Sequence, residues 1–141
     1  MISVCGIMTT DPVTIGATTT VRRAVELLQT LDIRHLPIVN EKDELIGMLS
    51  DRDLRALSIP AFIGPDYVGE LRTALDARVG SFMTGDVLSV DLEADVREAV
   101  NLMLEHKIGA VPVTDADGVV VGIVSYVDVL RALPLDRDAA E

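Results

Sequence analysis

Tryptophan is absent, and two tyrosines and two phenylalanines are the only aromatics in 141 residues. The core must therefore be aliphatic, and flat side chains that could stack on a base are few. A single cysteine, Cys5, excludes an intrachain disulfide and any cysteine-based zinc site. No stretch approaches the roughly 18 consecutive apolar residues of a membrane helix. The densest run is Val119–Val124. The opening residues Met1-Ile2-Ser3-Val4-Cys5 lack the basic start and long apolar segment of a secretory signal. The expectation is a cytoplasmic protein with no membrane partner.

Positive charge is scarce as well. Twelve Lys and Arg stand against 23 Asp and Glu, for a formal net charge of −11. That balance opposes non-specific association with nucleic acid or anionic membranes, both polyanions. A phosphate ligand would need its cations gathered locally. Catalytic constellations are missing too. His35 and His106 fall on different elements without the i, i+4 spacing of a zinc helix, and no Gly-rich phosphate loop appears. No catalytic residue, metal site or catalytic cofactor is expected, and the chain does not read as an enzyme.

What the chain does have is apolar material, 49% of residues with a mean hydropathy of +0.37. Such a surplus in a short chain is expected to be covered in a homodimer. It also has an internal repeat. Adding 75 to positions 4–57 gives 79–132 without a gap, and 14 of the 54 pairs are identical, against roughly 4 expected by chance. Matches include Val4/Val79, Met8/Met83, Arg22/Arg97, Pro37/Pro112, Gly47/Gly122, Ser50/Ser125 and Asp53/Asp128.

Each copy reads as β-α-β-β-α, an α/β (α+β) unit. Pro12–Ile15 and Val87–Val90 are short β-prone runs. Apolar residues at 21, 24, 25 and 28, and again at 96, 99, 100 and 103, mark one buried helical face. Asp95 followed by Glu98 has the spacing of a capping box. Strands Leu36–Val39 and Glu44–Leu49, then Ala110–Val113 and Val119–Val124, flank polar turns. A short helix begins near Ser50 or Ser125. The expected organisation is repeat 1 at 1–62, a linker at 63–78, repeat 2 at 79–134 and a tail at 135–141. Within Ser58–Arg78, the spacing of Tyr67, Val68, Leu71, Ala74 and Leu75 predicts a helix after a loop. A 55-residue unit buries too little surface to stand comfortably alone, so the copies should pack against each other with pseudo-two-fold symmetry.

The segments Gly47–Asp53 and Gly122–Asp128 each place Ser-x-x-Asp at a strand-to-helix junction. Two readings stand. The pair can be a capping box, or the helix start can attract phosphate while the Asp accepts hydrogen bonds from a ribose diol. One does not exclude the other.

These segments carry a resemblance. Ile7–Val13, Arg34–Val39 and Gly47–Asp53, with Phe82-Met83-Thr84, Ala110–Val113 and Gly122–Asp128 in the second copy, resemble the cystathionine-β-synthase (CBS) domain, and two in tandem resemble a Bateman module. The resemblance covers nearly the whole chain except the linker and tail. It implies two clefts between the repeats that hold an adenosine-containing nucleotide such as AMP, ADP or ATP as a regulatory ligand. Site A would combine Thr9, Val13, Arg34, His35, Leu36 and Pro37 with Ile123, Ser125 and Asp128. Site B would combine Met48, Ser50 and Asp53 with Thr84, Leu88, Gly109, Ala110, Val111 and Pro112. Gly109-Ala110 stand where the first copy has Arg34-His35, which leaves site B with Arg52 as its one nearby cation. Site A should then bind phosphate more tightly. Arg34 and His35 can equally be solvated residues at a strand start, Arg52 a surface ion-pair partner, and Tyr126 a packing residue. Alternative functions are a dimerising adaptor for a regulated protein partner, without a small-molecule ligand, or the same pocket used for S-adenosylmethionine or NAD.

Overall fold

The computed structural model describes residues 2–56, 67–82 and 87–134. In the first copy a 3₁₀ turn at Val4–Gly6 leads to β1 (Thr9–Thr10), α1 (Val21–Leu31), the hairpin β2 (His35–Val39) and β3 (Leu45–Ser50), and α2 (Asp51–Ala56). Helix α3 (Tyr67–Asp76) follows, as its apolar spacing predicts, and Leu75 packs on the first core. The second copy repeats the order with β4 (Val90–Asp91), α4 (Val96–His106), β5 (Ala110–Thr114), β6 (Val120–Ser125) and α5 (Tyr126–Ala132). The first part of the Ser58–Arg78 segment, Thr84 and the tail at 135–141 lie outside the described residues.

The helical stripe behaves as its period requires. Val21, Ala24 and Leu28 are buried on α1, and Ala99 and Met103 on α4. Thr20 caps α1 by accepting from the Arg23 N–H. At α4, Asp95 is the cap, but its partners are the Arg97 N–H (2.9 Å) and guanidinium (2.8 Å). The reciprocal Glu98 arm of the expected capping box is not formed. Both helices end on a left-handed residue, Asp32 (φ 51) and Lys107 (φ 55).

Strands β2 and β5 are buried almost end to end, which explains their continuous apolar runs. In β3 and β6, Gly47 and Leu49, and Gly122 and Val124, are buried between less buried neighbours. The run Pro12–Ile15 is not a strand. Only Ile15 pairs, in a single parallel bridge to Ile38, where the second copy has β4 beside β5. The short β1 instead joins the other copy, running antiparallel to β6 with Thr9 opposite Ile123. A four-stranded sheet β1-β6-β5-β4 therefore draws on both copies.

The two halves interlock in symmetric pairs of bonds. Leu45 N–H donates to Gly118 O (3.0 Å) and Val120 N–H to Asp43 O (3.1 Å). Val4 N–H donates to Ala94 O, and its counterpart Val79 N–H to Thr19 O, both at 2.8 Å. Each pair is related by the offset of 75, so the repeat in sequence is a pseudo-two-fold axis in space. The leading valines cross over. Val79 is fully buried among Ile15, Val21, Leu28, Leu36 and Leu49, while Val4 is fully buried among Val90, Met103, Val111 and Val124. Each core thus takes one residue from the segment that opens the other copy.

Candidate functional site

The crossing segments leave two clefts between the copies, each beside a strand-to-helix junction. The turn from β6 into α5 is a complete capping box. Asp128 Oδ2 accepts from the Ser125 N–H (2.9 Å) and Oγ (3.0 Å), while the Asp128 N–H donates to Ser125 Oγ (3.2 Å). The turn from β3 into α2 repeats it: Ser50 N–H donates to Asp53 Oδ2 (2.8 Å) and Asp53 N–H to Ser50 Oγ (3.1 Å). Oδ2 does the capping in both copies. Oδ1 of Asp53 and of Asp128 has no partner among the described residues. Capping fixes each carboxylate and leaves one oxygen for a ligand, so the two readings of Ser-x-x-Asp coexist.

The first cleft, about 500 Å³, corresponds to site A. It brings together Thr9, Val13, Arg34, His35, Ile123, Ser125 and Asp128. Leu36 and Pro37 do not line it; both are buried in the hairpin. The second cleft, about 440 Å³, corresponds to site B. It brings together Met48, Ser50, Asp53, Leu88, Gly109, Ala110 and Pro112. Val111 is withdrawn into the second core.

The distribution of charge differs from the sequence-based expectation. Arg34 and His35 line both clefts, as do Gly109, Ala110 and Tyr126, so these five residues form a shared wall. A methyl placed on Gly109 would stand 3.5 Å from both the His35 and the Tyr126 rings, so the two rings flank Gly109 in that wall. The second cleft also gains His106 and Lys107 from the end of α4, besides Arg52, whose guanidinium donates to the Lys107 carbonyl across the two copies (3.3 Å). Arg34, Arg52 and Lys107 there face Asp51 and Asp53. In the first cleft Arg34 is the one Lys or Arg among the described residues, beside Asp11, Asp32 and Asp128. The cation-poor cleft is site A.

His35 sits between these charges. Burial pushes its pKa below the ordinary 6.5, Asp51 and Asp53 pull it up, and Arg34 pushes it down. The net direction is down, because removing an imidazolium from water outweighs neighbours that remain partly solvated. Sequence reasoning missed Lys107, His106, Asp11 and Asp32 as lining residues. The signal was available in the offset itself, since Asp32 and Lys107 are repeat equivalents, each two residues before the Arg34 or Gly109 that was considered.

A family model described as CBS domain matches residues 4–59 and 79–135. Hypoxic response protein 1 of Mycobacterium tuberculosis is 32% identical over 128 residues, which span 91% of this chain and 82% of that protein. A crystal structure of CBSX2 in complex with AMP is 31% identical, with a TM-score of 0.77 over 94% of this chain and 96% of that one. The CBS domain pair of protein MJ0100, solved with 5′-methylthioadenosine and S-adenosyl-L-methionine, is 25% identical, with a TM-score of 0.74 over 93% and 94% of the two chains. Among the described residues, no helix is long and apolar enough to cross a membrane.

Proposed function

This chain belongs to the CBS domain family as a tandem pair, and we propose that it is a non-catalytic regulatory module that binds adenosine-containing ligands in the clefts between its repeats. The observation that carries this reading is the pair of capped carboxylates. Each stands in a cleft of 440 to 500 Å³, held rigid by its own helix start, with one oxygen unclaimed. A ribose diol offers two donors that a fixed acceptor of this kind can hold. Val13, Ile123 and Val127 in one cleft, and Met48, Val87 and Leu88 in the other, offer apolar surface to a purine. The AMP in CBSX2 and the methylthioadenosine and S-adenosyl-L-methionine in the MJ0100 pair support adenosine as the common element.

Asp128→Asn keeps the shape of the cap and an acceptor oxygen but removes the charge. Isothermal titration with adenosine should show one class of sites weakened about tenfold, from loss of charge-assisted hydrogen bonds. The melting temperature without ligand should stay close to that of the unaltered chain. Unchanged binding at every site would sink the assignment of Asp128. Homodimerisation and control of a protein partner belong to the same reading, because Leu104 and Leu130 on α4 and α5 are 72% and 55% exposed. Light scattering on the same samples checks this, and a single-chain mass at all concentrations would remove the dimer from it.

A further inference from the structure

The two clefts are built from equivalent positions, yet among the described residues they differ in charge. The difference is sharpest where α1 and α4 end. Asp32 and Lys107 are repeat equivalents, both in the left-handed conformation at φ 51 and 55, and both exposed. Asp32 lines the first cleft and Lys107 the second. Two neighbouring equivalences reinforce the contrast: Leu31 corresponds to His106, and Val127 to Arg52. The overall charge of the chain is strongly negative, so the three cations among the described lining residues of the second cleft are not a sampling of the average surface.

We propose that the residue closing each long helix sets the charge of the ligand its cleft accepts, so that the Lys107 cleft takes an adenosine 5′-phosphate and the Asp32 cleft an adenosine whose 5′ substituent is uncharged or cationic. The proposal rests on the reading of both clefts as adenosine sites. A phosphate chain in the second cleft meets Lys107, Arg52 and Arg34, which offset its charge and donate to its oxygens. The same chain in the first cleft would lie near Asp32 and Asp128, with Arg34 alone among the described residues to oppose them. A thioether escapes that repulsion, and a sulfonium is attracted by it. The chain would then report on two adenosine metabolites at once.

The exchange variants Asp32→Lys and Lys107→Asp test this on the full chain. Each variant places a residue type in a backbone conformation that the same type already adopts in the other copy, so the helix end is not asked to do anything new. Titration calorimetry uses ATP, S-adenosylmethionine and adenosine as probes. The unaltered chain should bind one ATP and one S-adenosylmethionine together, without mutual displacement. Lys107→Asp should weaken ATP about tenfold, and Asp32→Lys should weaken S-adenosylmethionine by about the same factor while adding a second ATP, the order expected when one close, solvent-facing charge is reversed. Adenosine itself should bind both variants as it binds the unaltered chain. ATP and S-adenosylmethionine competing for one cleft, or affinities that ignore both exchanges while adenosine still binds, would overturn the charge assignment and leave the adenosine reading standing. Failure of all three probes on the unaltered chain would overturn both.

Discussion

His35 shows how one side chain can belong to the fold and to the site. It begins β2, it lines both clefts, and burial lowers its pKa. The unfolded chain binds a proton near pH 6.5 that the folded chain takes up only at lower pH. The unfolding free energy therefore falls as pH drops through 6.5, and the loss stops below the folded-state pKa. Melting temperatures followed from pH 7.5 to 5.5 should drop more steeply for the unaltered chain than for His35→Gln, and identical slopes would refute this role. An anion in the second cleft acts against burial and favours the imidazolium, so phosphate binding should strengthen over the same pH range. The residues of Ser-x-x-Asp were legible in sequence because capping and ligand contact need the same spacing. Lys107 was not, because a lysine at a helix end is ordinarily a solvated terminal charge, and only its alignment with Asp32 places it beside a cleft.

At the level of elements, periodicity located both long helices and both hairpins, and the corrections came from pairing. Each hairpin strand runs one residue beyond its apolar stretch at one or the other end, since the ladder continues to Ser50 opposite His35 and to Ser125 opposite Ala110. Pro12–Ile15 has β-forming residues but little to pair with, and its one bridge is secured by Ile15 bonding Pro37 and Val39. The contact between β1 and β6 depends on the space left at Gly122. A Cβ there would collide with Met8 Sδ and come within 2.9 Å of Met8 Cγ and 3.0 Å of the Thr9 carbonyl. Gly122→Ala should cost about 1–3 kcal/mol by overpacking, read from denaturant midpoints. Combining it with Met8→Ala should recover part of that loss, because the two sites share one contact. Strict additivity of the two losses would show that the glycine is needed for some other reason.

For the molecule as a whole, the repeat predicted two copies facing each other, but not that Val4 and Val79 change sides. A gap-free offset says nothing about which copy's core receives a segment, because the residues waiting on either side are nearly the same. The exchange makes a specific prediction about cooperativity. Val79→Ala removes buried methyl groups from the first core and should cost about 1–3 kcal/mol, and the whole chain should still unfold in one transition, shifted as a unit. A second, unshifted transition in calorimetry would mean the halves are independent. Time adds a further consequence. During synthesis Val4 appears long before β5 and β6, against which it packs, and the first core stays open until Val79 has been made. Neither half can finish as it emerges, and contacts of such long sequence separation form slowly. A nascent chain must carry Val4 uncovered until its second half exists, while Val79 meets a first core already made, so the module completes late in translation and Val4 is among the last residues to find its place.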